Sequence, residues 1–142
     1  MQNMGLVFAD IELFNYDDIA YSRKGLITES AIRRLEVKAL VDTGAYMLVI
    51  NENVQNQLGL EVFGSEIGLL ADGSQQELPL VGPIEVRFKN RRTIVEALVV
   101  PGESQVLLGA IPMEGMDVII DPNKGELALP PSRPYIAGTV LK

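Results

Sequence analysis

Cysteine and histidine are both missing from this chain of 142 residues. Their absence excludes disulfides, thiolate redox motifs, Ser-His-Asp and Cys-His triads and the usual zinc sites. Basic residues are also scarce, with 12 Lys and Arg against 19 Asp and Glu, a formal net charge of -7 and a pI near 4.6. Such acidity opposes binding to nucleic acid or to an anionic membrane, because phosphate recognition needs clustered positive charge. No apolar run approaches the roughly 20 residues that span a bilayer. Residues 1–10 have neither the basic start nor the apolar core of a secretory signal. The expectation is a cytoplasmic protein with no nucleic-acid or membrane partner. Carboxylates, Lys, Tyr and hydroxyls remain for chemistry, with no metal or cofactor expected. At 47% hydrophobic residues the chain can bury a core unaided, and its length suits one domain over 1–142.

What is present is an apolar run that ends on an acid: Ala39-Leu40-Val41-Asp42-Thr43-Gly44-Ala45. Burying an unpaired carboxylate is costly, so an Asp at that point is hydrogen-bonded, exposed by a turn, or chemically used. Gly44 accepts turn geometry, and Thr43 offers a hydroxyl beside a methyl that can pack. The plain reading is a strand-ending turn, since all three residue types favour turns. From average residue usage, the bare tripeptide occurs by chance in roughly one in thirty chains of this size. Two preceding apolar residues and a following small one make it about a hundredfold rarer.

The rest of the chain reads as short strands. Residues 5–13 end in alternating apolar and polar positions, and Asn15, Asp17 and Asp18 break the pattern. Residues 16–30 are mixed, with a short helix expected after Thr28. Residues 35–41 place Leu35, Val37, Ala39 and Val41 on one face and deliver Asp42 into its turn. A second apolar strand follows over 46–50, then a helix capped by Asn51 and stopped at Gly59. Residues 66–71 and 74–78 flank Asp72-Gly73, a strong hairpin signal. Pro79 and Pro83 bracket the exit from that hairpin. Residues 84–88 and 93–100 then pair around Lys89-Asn90-Arg91, and 106–109 form a short buried strand. A second helix is expected near 112–116, and 117–121 should pair with 126–129. The core runs over about 5–129, with a Pro-rich tail over 130–142 extended along the surface. Residues 33–41 also resemble 91–99, which fits either a duplicated unit or two ordinary strands.

The Asp42 loop resembles the catalytic loop of retropepsin-like aspartic proteases, whose signature is two apolar residues, Asp-Thr-Gly or Asp-Ser-Gly, then Ala or Ser. The likeness continues in order through a flap-like hairpin around Ala71 to Ser74 and a late Leu107-Leu108-Gly109 element. It is closest to the small bacterial single-domain members. It implies an all-β fold, a closed or partly closed barrel with one or two short helices and a flap. In that family the late glycine sits behind the catalytic loop, which makes Gly109 the counterpart of Gly44. The chain departs from the retroviral pattern at Tyr46 and Met47, where acids are usual, at Ala110, where a dimer-bracing Arg is usual, and at its Asp72-Gly73 flap tip.

The resemblance further implies a homodimer in which Asp42 of each chain contributes to an acid pair at the two-fold axis. One carboxylate would activate water while the other hydrogen-bonds the substrate carbonyl. Thr43 would bond across the axis, and Gly44 would admit substrate backbone. Ala45, Ala71, Asp72 and Gly73 would contact a peptide or protein substrate held in extended form, with part of the interface formed by 117–129. Within the chain, Asp121 is the other candidate acid, although Asp-Pro-Asn-Lys-Gly also reads as a plain hairpin turn. Two functional readings stand beside each other: an aspartic endopeptidase, or a catalytically silent dimerisation or peptide-binding module on the same fold. A third leaves Asp42 as a turn residue of an unrelated barrel.

Overall fold

Period-two alternation sets the first strand, β1 (Phe8–Asn15), which buries Ala9, Ile11 and Leu13 and exposes the residues between them. The structure is a computed structural model describing residues 6–70 and 72–141. After β1 come α1 (Tyr16–Arg23), a 3-10 turn at Glu29–Ala31, β2 (Arg34–Val41), β3 (Leu48–Asn51) and α2 (Glu52–Leu58). The second half holds β4 (Glu61–Leu69), β5 (Gln75–Phe88), β6 (Arg91–Val100), β7 (Leu107–Leu108), α3 (Ala110–Met116), β8 (Ile119–Asp121) and β9 (Glu126–Ala128).

Strand order in the main sheet is β1-β2-β7-β3-β6-β5-β4, and β5 also pairs with β1. That return closes six strands into a barrel and leaves β4 as an edge, so the expected all-β barrel is what forms. Its interior is filled by Ile11, Leu13, Leu48, Ile50, Ile84 and Leu108, all at most 1% exposed. Burying such side chains supplies about 1.5–3 kcal/mol each before entropy is counted. Two pairings are parallel, β2 with β7 and β3 with β6. Each of the two similar sequence segments, β2 and β6, thus takes as parallel neighbour the strand that follows its counterpart. Each following strand then leads into a short helix, α2 or α3.

Three sequence expectations change. The Asn15-Asp17-Asp18 cluster does not simply break the chain but starts α1: the Asn15 carboxamide oxygen accepts from the Asp18 amide at 3.1 Å. Its nitrogen donates to the Leu58 carbonyl at 2.9 Å, satisfying the end of α2. Asp18 then grips Arg33 through two charged bonds of 2.8 and 3.0 Å and accepts the Arg33 amide at 3.0 Å, fastening the 16–33 segment to the barrel. This pairing lowers the Asp18 pKa and raises that of Arg33, chiefly through their side-chain hydrogen bond. Secondly, Pro79 and Pro83 do not separate two strands. They lie within the 14-residue β5, whose pairing with β6 shifts register between Val81 and Ile84, where a missing proline N–H is tolerated. Finally, α1 brings the number of short α-helices to three. Among the described residues no helix is long and apolar enough to cross a membrane.

Candidate functional site

Strand β2 buries Ala39 and Val41 and then releases a half-buried Asp42 followed by exposed Thr43 and Gly44. The loop is tied by its own acid: the Gly44 amide donates to Asp42 Oδ1 at 2.9 Å, and the Ala45 amide donates to the Asp42 carbonyl at 3.1 Å. This self-bonded turn is the chemistry expected of Asp and Gly at these positions. Among the described residues Asp42 Oδ2 has no hydrogen-bond partner, so half of the carboxylate is left for other work.

The floor beneath the loop is β7 and the start of α3. The Asp42 amide donates to the Leu108 carbonyl at 3.0 Å. The Ala110 and Ile111 amides donate to the Ala45 and Tyr46 carbonyls at 2.8 and 2.7 Å. Gly109 caps α3 without a side chain, and the loop carbonyls satisfy the helix amides instead. A Cβ on Gly109 would stand 2.8 Å from the Ala45 carbonyl oxygen and closer still to that of Met47, so nothing larger fits there. The same bonds correct the expected strand over 46–50. It begins only at Leu48, because the Ala45 and Tyr46 carbonyls are engaged by α3.

The hairpin of β4 and β5 projects from the barrel. Val62, Phe63, Ile67 and Leu69 of β4 are all at least half exposed, while Leu78 on β5 is buried. At the tip Asp72 Oδ1 accepts from the Ser74 amide and hydroxyl at 2.9 and 2.5 Å, and Gly73 adopts φ +85°. The Ser74 hydroxyl, with its amide, holds the Asp72 carboxyl below the usual carboxylate range. Ala71, expected at this tip, lies outside the described residues. No hydrogen bond among the described residues joins the tip to the Asp42 loop.

Two grooves flank the loop. One, of about 670 Å³, is lined by Tyr46, Met47, Glu66, Ile94, Glu96 and Ile111 among others. The second, of about 340 Å³, runs from Thr43 past Ala110 and Met113 to Val118, Ile119 and Ile120. The sequence reading found the loop and the tip but not the groove residues Glu66 and Glu96, because strands far apart in sequence bring them together. The unusual Tyr46-Met47 pair was the one local signal.

Other acids are committed elsewhere. Asp121 Oδ1 accepts from the Asn123 and Lys124 amides at 2.9 and 3.2 Å, within its own turn. Asp117 holds Arg133 at 2.7 and 3.0 Å and the Gly138 amide at 2.8 Å. Among the described residues no group of three or more Asp or Glu side chains is placed to hold a metal ion.

A family model described as aspartyl protease matches residues 29–110, which takes in β2, the Asp42 loop, the projecting hairpin and Gly109. No curated protein matches the chain closely enough to be named as a relative.

Proposed function

The chain belongs to the aspartyl protease family, within the retropepsin-like clan, and we propose that it hydrolyses peptide bonds as a homodimer whose two Asp42 carboxylates meet at a two-fold axis. The observation that carries this reading is the Asp42 turn itself. A strand that buries Ala39 and Val41 delivers the acid, Gly109 and α3 brace its backbone, and one carboxylate oxygen is uncommitted. Among the described residues no second Asp or Glu side chain is hydrogen-bonded to the turn, and Asp117, Asp121 and Asp18 serve other contacts. Symmetry supplies the partner. The groove that leads from exposed Thr43 to β8 supports an axis on that side of the loop, with Thr43 bonding across it and residues 117–129 forming part of the interface.

In this arrangement the acid pair works with one proton shared between two carboxylates. The ionised member takes a proton from water, the hydroxide adds to the scissile carbonyl carbon, and the protonated member gives its proton to the carbonyl oxygen. In the collapse of the resulting gem-diol, the newly protonated member gives its proton to the amide nitrogen while the ionised member takes one from a gem-diol hydroxyl. The C–N bond breaks to give carboxylic acid and amine, and the pair again holds a single proton. Gly44 leaves room for substrate backbone. The hairpin with Asp72 and Gly73 at its tip closes over an extended peptide, which gains strand-like hydrogen bonds from it.

The test is cleavage of a quenched-fluorescence peptide library by the native protein and by Asp42→Asn. Cleavage by the native protein and none by a folded Asp42→Asn is expected. Equal cleavage by both would assign the activity to another site. A native protein that binds peptides, cleaves none and dimerises would be the silent peptide-binding module on the same fold.

A further inference from the structure

The larger groove beside the Asp42 loop carries charge of one sign only. Tyr46 and Met47 leave the loop directly into it, Ile94 and Ile111 form apolar walls, and Glu66 and Glu96 are its charged residues. Among the described residues no Lys or Arg lines it. Tyr46 is 79% exposed, Ile111 51% and Ile94 43%, so the apolar surface is uncovered in the single chain. Both glutamates are exposed, and among the described residues neither takes part in an ion pair. Elsewhere carboxylates with an arginine at hand do pair, as Asp18, Glu85 and Asp117 do. The two carboxylates come from the hairpin strand β4 and the barrel strand β6, so they face the groove from different elements.

We propose that Glu66 and Glu96 select peptides carrying a lysine or arginine next to an apolar residue, with the cationic side chain lying in this groove, an inference that rests on the proteolytic reading of Asp42. Long basic side chains match the site in both parts: their methylene stems lie on apolar walls while their charged heads stay near water and carboxylate. A volume of about 670 Å³ accommodates such a side chain together with an apolar neighbour. An acidic side chain in the same place meets two like charges over a low-dielectric wall. Selection comes from this asymmetry more than from raw affinity.

The probe is a set of apolar peptides in which one residue, moved along the sequence, is lysine, neutral norleucine or glutamate. Binding is measured with full-length Asp42→Asn, and kcat/KM with the native protein. Lysine peptides should bind and be cleaved about 1.5-fold to fivefold better than norleucine peptides, the range expected for an exposed ion pair. Glutamate peptides should be the poorest, and added salt should narrow the spread. The double variant E66Q/E96Q should lose the lysine preference, so that its lysine and norleucine peptides bind and are cleaved alike. Equal binding of all three peptides, no binding of any, or a lysine preference that survives in E66Q/E96Q overturns the inference. A lysine preference in binding without cleavage by the native protein leaves the selectivity standing and removes the proteolytic reading alone.

Discussion

Gly109 and Ala45 are packed so closely that a Cβ on Gly109 would come within 2.8 Å of the Ala45 carbonyl oxygen, the same atom that accepts the Ala110 amide at 2.8 Å. The loop that presents Asp42 therefore rests on a backbone contact that no side chain can enter. The late glycine and the Asp-Thr-Gly loop are one structural unit although 64 positions separate Gly109 from Ala45 (109 - 45).

Replacing Gly109 with Ala should push the 45–47 backbone away and break one or both amide bonds from α3. Overpacking of this kind costs about 1–3 kcal/mol. A lower melting temperature together with a larger loss of peptide cleavage is expected, because the acid would be displaced as well as the fold weakened. Unchanged melting and activity would show that the contact relaxes freely.

Asn15→Ala should destabilise the protein although Asn15 is remote from the Asp42 loop. Asn15 is 5% exposed and serves two helices at once, capping α1 and satisfying the Leu58 carbonyl of α2. Loss of a cap costs about 0.5–2 kcal/mol, and the stranded carbonyl adds about 1–3 kcal/mol. Denaturant unfolding reads the sum, and a change in midpoint too small to measure would refute the double role.

The strands and the loop were legible because burial in the barrel imposes a period of two, as in β2, and because α2 carries explicit ends in Asn51 and Gly59, the latter at φ +62°. Helix α1 was not legible. Its cap residues look like a strand break until the distant Leu58 carbonyl and Arg33 are seen to use them. The start of β4 was equally hidden, since an edge strand exposed on both faces has no burial period to reveal it. Asp42 could be found locally because its turn is built from neighbouring residues. The groove beside it could not, because Glu66 and Glu96 meet only through strand pairing.

The chain end offers a test by pH. Arg133, then the Gly138 amide, holds the Asp117 carboxyl far below its ordinary 3.8. A depressed folded value means that the contact contributes fully above the ordinary carboxylate range and is lost as pH falls through the depressed value. The 131–141 segment should therefore stay docked in mildly acidic solution and detach only in strong acid. Asp117→Asn should release it at neutral pH and leave buried Arg91 without its nearest carboxylate, at 4.0 Å. Hydrogen exchange at the Gly138 amide is the readout. Identical protection in native and variant protein would show that Asp117 does not hold the tail.

At the hairpin tip, Asp72→Ala removes the acceptor for both the amide and the hydroxyl of Ser74. The tip is exposed, so thermal stability should change by less than about 0.5 kcal/mol. If the hairpin closes over substrate, kcat/KM should fall several-fold because the closed geometry is less well defined. Unaltered kinetics would separate the tip from catalysis.

Thr43 tests the two-fold axis. Its side chain is exposed in the single chain and opens onto the groove that leads to β8. In the proposed dimer, a hydroxyl bond from each protomer across the axis would contribute about 0.5–1.5 kcal/mol. Losing both in Thr43→Val, which keeps the shape, should therefore raise the dimer dissociation constant by roughly fivefold to more than a hundredfold. Sedimentation over a range of concentrations reads this directly. If each active site draws Asp42 from both chains, activity should follow the dimer fraction, falling steeply on dilution and recovering at high protein concentration. A variant with the native dissociation constant would place Thr43 away from the axis. Native protein that cleaves peptides at full specific activity as a dilute monomer would remove the shared acid pair altogether.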